Sequence, residues 1–336
     1  GSRGNLSITR LGWAEGANIY LAGALEVYPI VDWGTEYDIP VGINTNINDL
    51  FQYTGATILA KEFTNINIDA DGNGTFETNI TLQEGESHLI NSGLNSGGKI
   101  VTDKDVQVHL VTGDICATYE SRWFTLKPTR LWSNSYLNPV ATPNNGGNTH
   151  IDFRNAPTYV HLYNPNNTNI TVNWDSKDGF EAGVSVLAGG TAIIEIPDNT
   201  GSHFYSAGGD PFYAIATIDS DRNGNNGRND WGFALNPESS LSSQISLVGF
   251  APGSNPLVAS TVNSSPVWIT ADYPNGDVNN NPITICIDYN GDGGAITDVN
   301  GTTYDVSEVI DPLENRKLFD PDGDQTGMRL WVCDGS

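Results

Sequence analysis

Two stretches of the chain hold a proline, a tryptophan, a tyrosine and a second proline in one register: Pro29, Trp33, Tyr37, Pro40 and Pro128, Trp132, Tyr136, Pro139. Chance rarely keeps four rigid or bulky residues in step, so the chain reads as a tandem repeat of about 100 residues. A weaker third copy starts at Pro237, with Leu241 and Ile245 in the aromatic positions. Each copy leads into an alternating run that ends in an acidic, glycine-rich turn: residues Asn65–Gly74, Asn169–Asp178 and Pro282–Asp292. Function is therefore sought in repeated turns and not in one catalytic pocket. Trp33 and Trp132 are expected to occupy equivalent, largely buried sites.

The residue mixture sets the fold class. Gly, Asn, Asp, Thr and Ser abound, while Lys, Met and long Ala/Leu/Glu runs are scarce, which favours turns and strands over helices. Apolar and polar residues alternate most clearly in Val106–Val111, Tyr159–Tyr163, Thr191–Ile196, Phe212–Thr217 and Val267–Thr270, the period-2 mark of half-buried strands. Several short strands per repeat predict an all-β protein of tandem antiparallel β-sandwich domains, immunoglobulin-like or jelly-roll in topology, with calcium-binding loops. One segment, Asp305–Arg316, is read as able to hold a helical turn, limited by Pro312.

Gly/Asn/Pro clusters at Thr142–Asn148 and Ala251–Pro256 cannot build a core and read as linkers. They divide the chain into sandwich repeats 1–141 and 142–255 and a β-rich third repeat, 256–336, joined as beads. The chain opens and closes with partial units, as a segment of a longer protein would. No run of about 18 apolar residues exists, and the opening lacks the zones of a signal peptide, although Gly1-Ser2 reads as a cloning scar. Cys286 and Cys333 fall in one repeat and are candidates for a bridge, with Cys116 left over. Seven Asn-x-Ser/Thr sequons, Asn5, Asn79, Asn166 and Asn300 among them, fit an extracellular surface.

Charge narrows the partners. Lys and Arg number 15 against 40 Asp and Glu, a net charge of −25, which repels nucleic acid and anionic membrane surfaces. A polycation or a metal ion suits it better. The run Asp219-Ser-Asp221-Arg-Asn223-Gly224-Asn225 through Asp230 has oxygen side chains at loop positions 1, 3 and 5, glycine at 6 and a carboxylate at 12, the spacing that wraps Ca²⁺. Asp69, Asp71 and Asn73 open a second such loop whose position 12 is Ile80, so that Glu77 or a distant residue must close it. Asp288, Asn290 and Asp292, and Asp320, Asp322 and Asp324, open two more in the third repeat. Carboxylates at alternate positions share one side and repel, and a cation relieves this. The competing reading of each loop is an Asx turn, because Asp and Asn also bind their own backbone.

Catalytic motifs are missing from the sequence. His88, His109, His150, His161 and His203 show no paired zinc spacing, and there is neither a G-x-S-x-G elbow nor a phosphate-cradling glycine loop. The chain reads as a non-enzyme.

The segments Thr57–Lys61, Asn65–Ile68, Thr81–His88, Gly98–Val108 and Pro128–Tyr136 resemble the IgG-Fc-binding-protein N-terminal domain family. The third repeat, from Pro266–Ala271 to Asp320–Gly327, resembles repeats of giant bacterial adhesin-like surface proteins. The resemblance implies a cell-surface or secreted location and a binding role, with a surface glycan or protein as ligand; it transfers no immunoglobulin-binding residue. Two functions follow from these readings. One is a calcium-stabilised, non-catalytic adhesin segment. The other is a structural subunit of a filament, sheath or surface layer that self-associates by strand exchange, with Leu6–Trp13 as the donated strand.

Overall fold

The computed structural model describes residues 9–13, 22–45, 50–115, 121–142, 157–218, 231–251, 266–272 and 282–333. The repeated motif forms a corner. Proline fixes φ near −65° and cannot donate a backbone hydrogen bond; Pro29 (φ −61°, ψ 152°) and Pro128 (φ −62°, ψ 151°) each launch one turn of 3₁₀ helix, Ile30–Asp32 and Thr129–Leu131. The indole of Trp33 then donates to the Tyr28 carbonyl at 3.0 Å, and that of Trp132 to the Lys127 carbonyl at 2.9 Å. The tyrosine hydroxyl closes the corner in both copies. It accepts from the backbone N–H just after the tryptophan, Gly34 to Tyr37 and Ser133 to Tyr136, and donates to Val106 O at 2.6 Å and Phe212 O at 2.8 Å. At the third site Pro237 starts a turn over Glu238–Ser240, with Leu241 in the tryptophan's place. Trp33 is buried, whereas Trp132 is half-buried and stacks on Tyr213 at 4.8 Å.

Strands β1 (Thr9–Trp13) and β2 (Ala22–Glu26) form a hairpin ahead of the first corner. The first sandwich contains β3 (Gly34–Asp38), β4 (Tyr53–Ala60), β5 (Thr64–Asp69), β6 (Thr78–Leu82), β7 (Ser87–Ile90), β8 (Lys99–Gly113) and β9 (Arg122–Thr125). Its 15-residue strand β8 serves both layers: the first part pairs with β5 and β3, the last part with β4 and β9. The second sandwich repeats this pairing with β10 (Ser135–Asn138), β11 (Thr158–Tyr163), β12 (Ile170–Ser176), β13 (Gly179–Val186), β14 (Thr191–Glu195), β15 (Ser202–Ser206), β16 (Tyr213–Ile218), β17 (Trp231–Ala234) and the short β18 (Asn236–Pro237). Here the place of β8 is taken by two strands: β15 joins the layer β13-β12-β15-β10-β18, and β16 joins β14-β11-β16-β17. The last part holds β19 (Ser246–Leu247), β20 (Val267–Ile269), β21 (Ile283–Asp288), β22 (Ile296–Thr297), β23 (Thr303–Tyr304), β24 (Val306–Ile310), β25 (Arg316–Leu318) and β26 (Arg329–Val332). Its layers are β19-β26-β21-β24 and β20-β25.

The architecture is all-β and antiparallel, with helix confined to the 3₁₀ corners among the described residues. The expected helical turn at Asp305–Arg316 is corrected: β24 and β25 occupy it, and β-branched Val306 and Ile310 pair with Ile287 and Ile283 of β21. Cys286 and Cys333 are joined in a disulfide with Cα atoms 5.1 Å apart. Strand β10 pairs with β15, and β19 with β26, so each of these strands belongs to the sandwich that follows it.

The first two sandwiches are not separate beads. One buried apolar cluster runs from Tyr37 to Leu235 through both, while Ile285, Ile287, Ile310, Met328 and their neighbours form a core of their own. At the seam the Phe51 ring meets the His161 ring edge-on at 5.2 Å, and buried Arg122 donates to the Ile218 carbonyl. The corners also stack: Arg130 donates to the Val31 and Trp33 carbonyls, and Gly34 lies so close to Pro128 that a Cβ on it would sit 2.4 Å from the proline Cβ. Gly201 N donates to Leu313 O at 2.7 Å where the second sandwich meets the third.

Two predictions follow from the seam. Gly34→Ala forces the corners apart and is expected to lower unfolding free energy by about 1–3 kcal/mol in urea titration. Burial, aided by the Arg122 charge, pushes the His161 imidazole down to about 3. Its folded pKa lies below the unfolded value of about 6.5, so the unfolded chain binds the extra proton between the two, and this part of the stability is lost as pH falls below about 6.5. At pH 5 the loss is about 2 kcal/mol, and His161→Gln is expected to flatten the dependence by that amount in urea titrations at pH 7 and 5.

Candidate metal centres

The last residue of β5 carries the clearest cluster. Asp69 is buried, and its two carboxylate oxygens accept from Gly72 N (2.8 Å), Asn73 N (3.2 Å) and Gly74 N (2.8 Å). Gly72 and Gly74 adopt positive φ, 76° and 88°, which lets the loop curl over the carboxylate. Asp71 accepts from the Asn73 backbone and side-chain amides, and Glu77 accepts from Ala70 N at 2.9 Å. Asp69, Asp71 and Glu77 each present a carboxylate oxygen within 4.8 Å of the others. That span is about twice a Ca–O bond of roughly 2.4 Å, so one hard cation can reach all three. Asn73 directs its side-chain oxygen to Thr75 N and its amide to Asp71, so its placement here serves the loop backbone.

The equivalent strand ends explain why the three sandwiches differ. Asp69 lies in register with Lys99, Asp175 with His203 and Asp288 with Arg329. On the other side of Lys99, His203 and Arg329 stand Asp38, Leu137 and Leu247. Buried Asp38 draws the Lys99 ammonium to 2.7 Å, and Asp69 keeps Asp71 and Glu77 as neighbours. Leu247 offers Arg329 no such competitor, and Arg329 lies 3.5 Å from Asp288. Asp288 also accepts from Gly293 N, while Asn290 and Asp292 are exposed. The opening carboxylate of that loop therefore already has a counter-ion.

Asp320, Asp322 and Asp324 form a ladder of Asx turns: Asp320 accepts from Asp322 N, Asp322 from Asp324 N and Asp324 from Thr326 N, at 2.8–2.9 Å. The loop bearing Asp219, Asp221, Asn223, Asn225 and Asp230 lies outside the described residues.

One polar cluster was hidden from the sequence by its spacing. The Ser135 hydroxyl donates to Glu238 and meets His203 Nε2 at 2.6 Å, with the Glu238 carboxylate 3.5 Å from the same nitrogen. A nucleophile relay needs its carboxylate on the far ring nitrogen; here serine and carboxylate share the near one. His109 and His161 are buried in β8 and β11.

The metal geometry gives a direct test. Asp69→Asn is expected to abolish stabilisation by added calcium at this loop, about 2.7 kcal/mol at a hundredfold excess over Kd, in the thermal transition shared by the first two sandwiches. Asp38→Leu, which leaves Lys99 to turn onto Asp69, is expected to weaken calcium binding in isothermal titration.

No curated protein matches the chain. A protein-family model described as IgGFc binding protein matches residues 23–307, from β2 into β24, and the chain belongs to that family.

Proposed function

We propose that this member of the IgGFc-binding family is a non-catalytic extracellular segment of a large adhesin-like surface protein, stabilised by calcium and built to hold a protein ligand. The observation that carries this reading is the shared core and stacked corners of the first two sandwiches. They make a rigid support for surface loops, the places where recognition concentrates. The third sandwich's disulfide suits an oxidising exterior. Among the described residues no helix is long and apolar enough to cross a membrane. We divide the array at the corners, so that each sandwich begins at Pro29, Pro128 or Pro237, and read it as a tandem repeat. The family description suggests an immunoglobulin Fc region as the first protein to try. The test immobilises the intact chain and passes over it Fc fragments, other serum glycoproteins and free glycans, in millimolar calcium and in EDTA. Saturable retention of a polypeptide is expected. Retention of no macromolecule by the folded, calcium-loaded chain would overturn the reading.

A further inference from the structure

The segment between β25 and β26 contains an orphaned acceptor. Asp320 is only 3% exposed. Its Oδ1 accepts from Asp322 N at 2.9 Å, but its Oδ2 is buried and has no hydrogen-bond partner. A buried carboxylate oxygen left this way costs several kcal/mol unless a proton or a cation meets it. No arginine or lysine bridges to it among the described residues. Its charged neighbours are Asp322 and, across the sandwich, Asp305, whose carboxylate accepts from Tyr289 N at 2.9 Å.

We propose that Asp320 Oδ2 and the Asp322 carboxylate are ligands of a divalent cation bound under the 320–326 loop, with Asp305 supplying further negative charge. Oxygen donors with no histidine or thiolate select a hard ion, and an irregular loop suits the adaptable coordination of Ca²⁺ better than the strict octahedron of Mg²⁺. The inference rests on the calcium reading above only for the choice of ion; its residues and its consequence are separate.

That consequence is a clasp. Gln325 N donates to Ala251 O, Gly327 N to Val248 O, Val248 N to Met328 O and Ala251 N to Thr326 Oγ1. The loop that would hold the ion is therefore the loop that ties down residues 248–251, the segment that follows β19. Gln325, fully buried, fastens the loop from inside by accepting from Asp320 N at 3.0 Å. Filling the site holds the loop shut and fixes the segment after β19 against it, so calcium sets how firmly this edge of the third sandwich is held.

Amide hydrogen exchange on the intact chain, with calcium added to metal-free protein, reads this out. Exchange at Val248, Ala251, Gln325 and Gly327 is expected to slow about tenfold at ten times Kd, because the ion binds only the closed loop. Asp320→Asn keeps the acceptor for Asp322 N and should fold, yet it is expected to lose that slowing while exchange in residues 69–77 still responds to calcium. Unchanged exchange at these four amides in the wild-type chain, with residues 69–77 responding, would overturn this site alone. No response anywhere would overturn it together with the calcium reading. Slowing that persists in Asp320→Asn would assign the ion to other ligands and contradict the proposal.

Discussion

A phenol hydroxyl inside a protein must both accept and donate, and the Tyr37 and Tyr136 hydroxyls do so with backbone groups from two different parts of the chain. One partner is the N–H that follows the corner tryptophan; the other is a carbonyl far along the sequence, in β8 or just ahead of β16. The corner is thereby bolted to the strands that bridge the two layers of each sandwich. Burial pushes both phenols up, so they stay neutral and keep donating at any ordinary pH. Once the corner is fixed, the arrangement of neighbours follows. Gly34 accepts Pro128 against its bare Cα, Arg130 reaches the Val31 and Trp33 carbonyls, and the two cores merge.

How much of this was legible depends on the range of the interaction. The Pro–Trp–Tyr spacing announces a local structure, and the alternation in Tyr159–Tyr163 and Thr191–Ile196 announces strands, because both are set by residues a few positions apart. The 3₁₀ turn itself was not visible, since three residues leave no period to read. Val306–Ile310 illustrates the opposite failure: its spacing allowed a helical turn, and pairing with β21 decided for a strand. The merged core was invisible for a further reason. Phe51, Arg122, His161 and Ile218 meet only after both sandwiches have formed, so glycine- and asparagine-rich loops suggested beads.

The candidate metal sites divide the same way. Glu77 was legible, beside the alternative of a distant residue, as a group able to approach Asp69 and Asp71, because it lies in the same hairpin. What was not legible is the competition for cations across the sheet. Whether Lys99 serves Asp38, or Arg329 serves Asp288, depends on which residue a third strand sets beside them, Asp38 in one sandwich and Leu247 in the other. Loops with the same acidic code thus stand in different electrostatic surroundings.

A shared core requires the first two sandwiches to unfold as one cooperative body and not as two domains on a string. Scanning calorimetry of the intact chain, with the third sandwich's disulfide reduced so that its own transition separates, measures this directly. A single transition for the first two, with calorimetric and van't Hoff enthalpies in a ratio near one, is the predicted result. Two transitions, or a ratio near two, would show that the corners stack without coupling the cores and would contradict it.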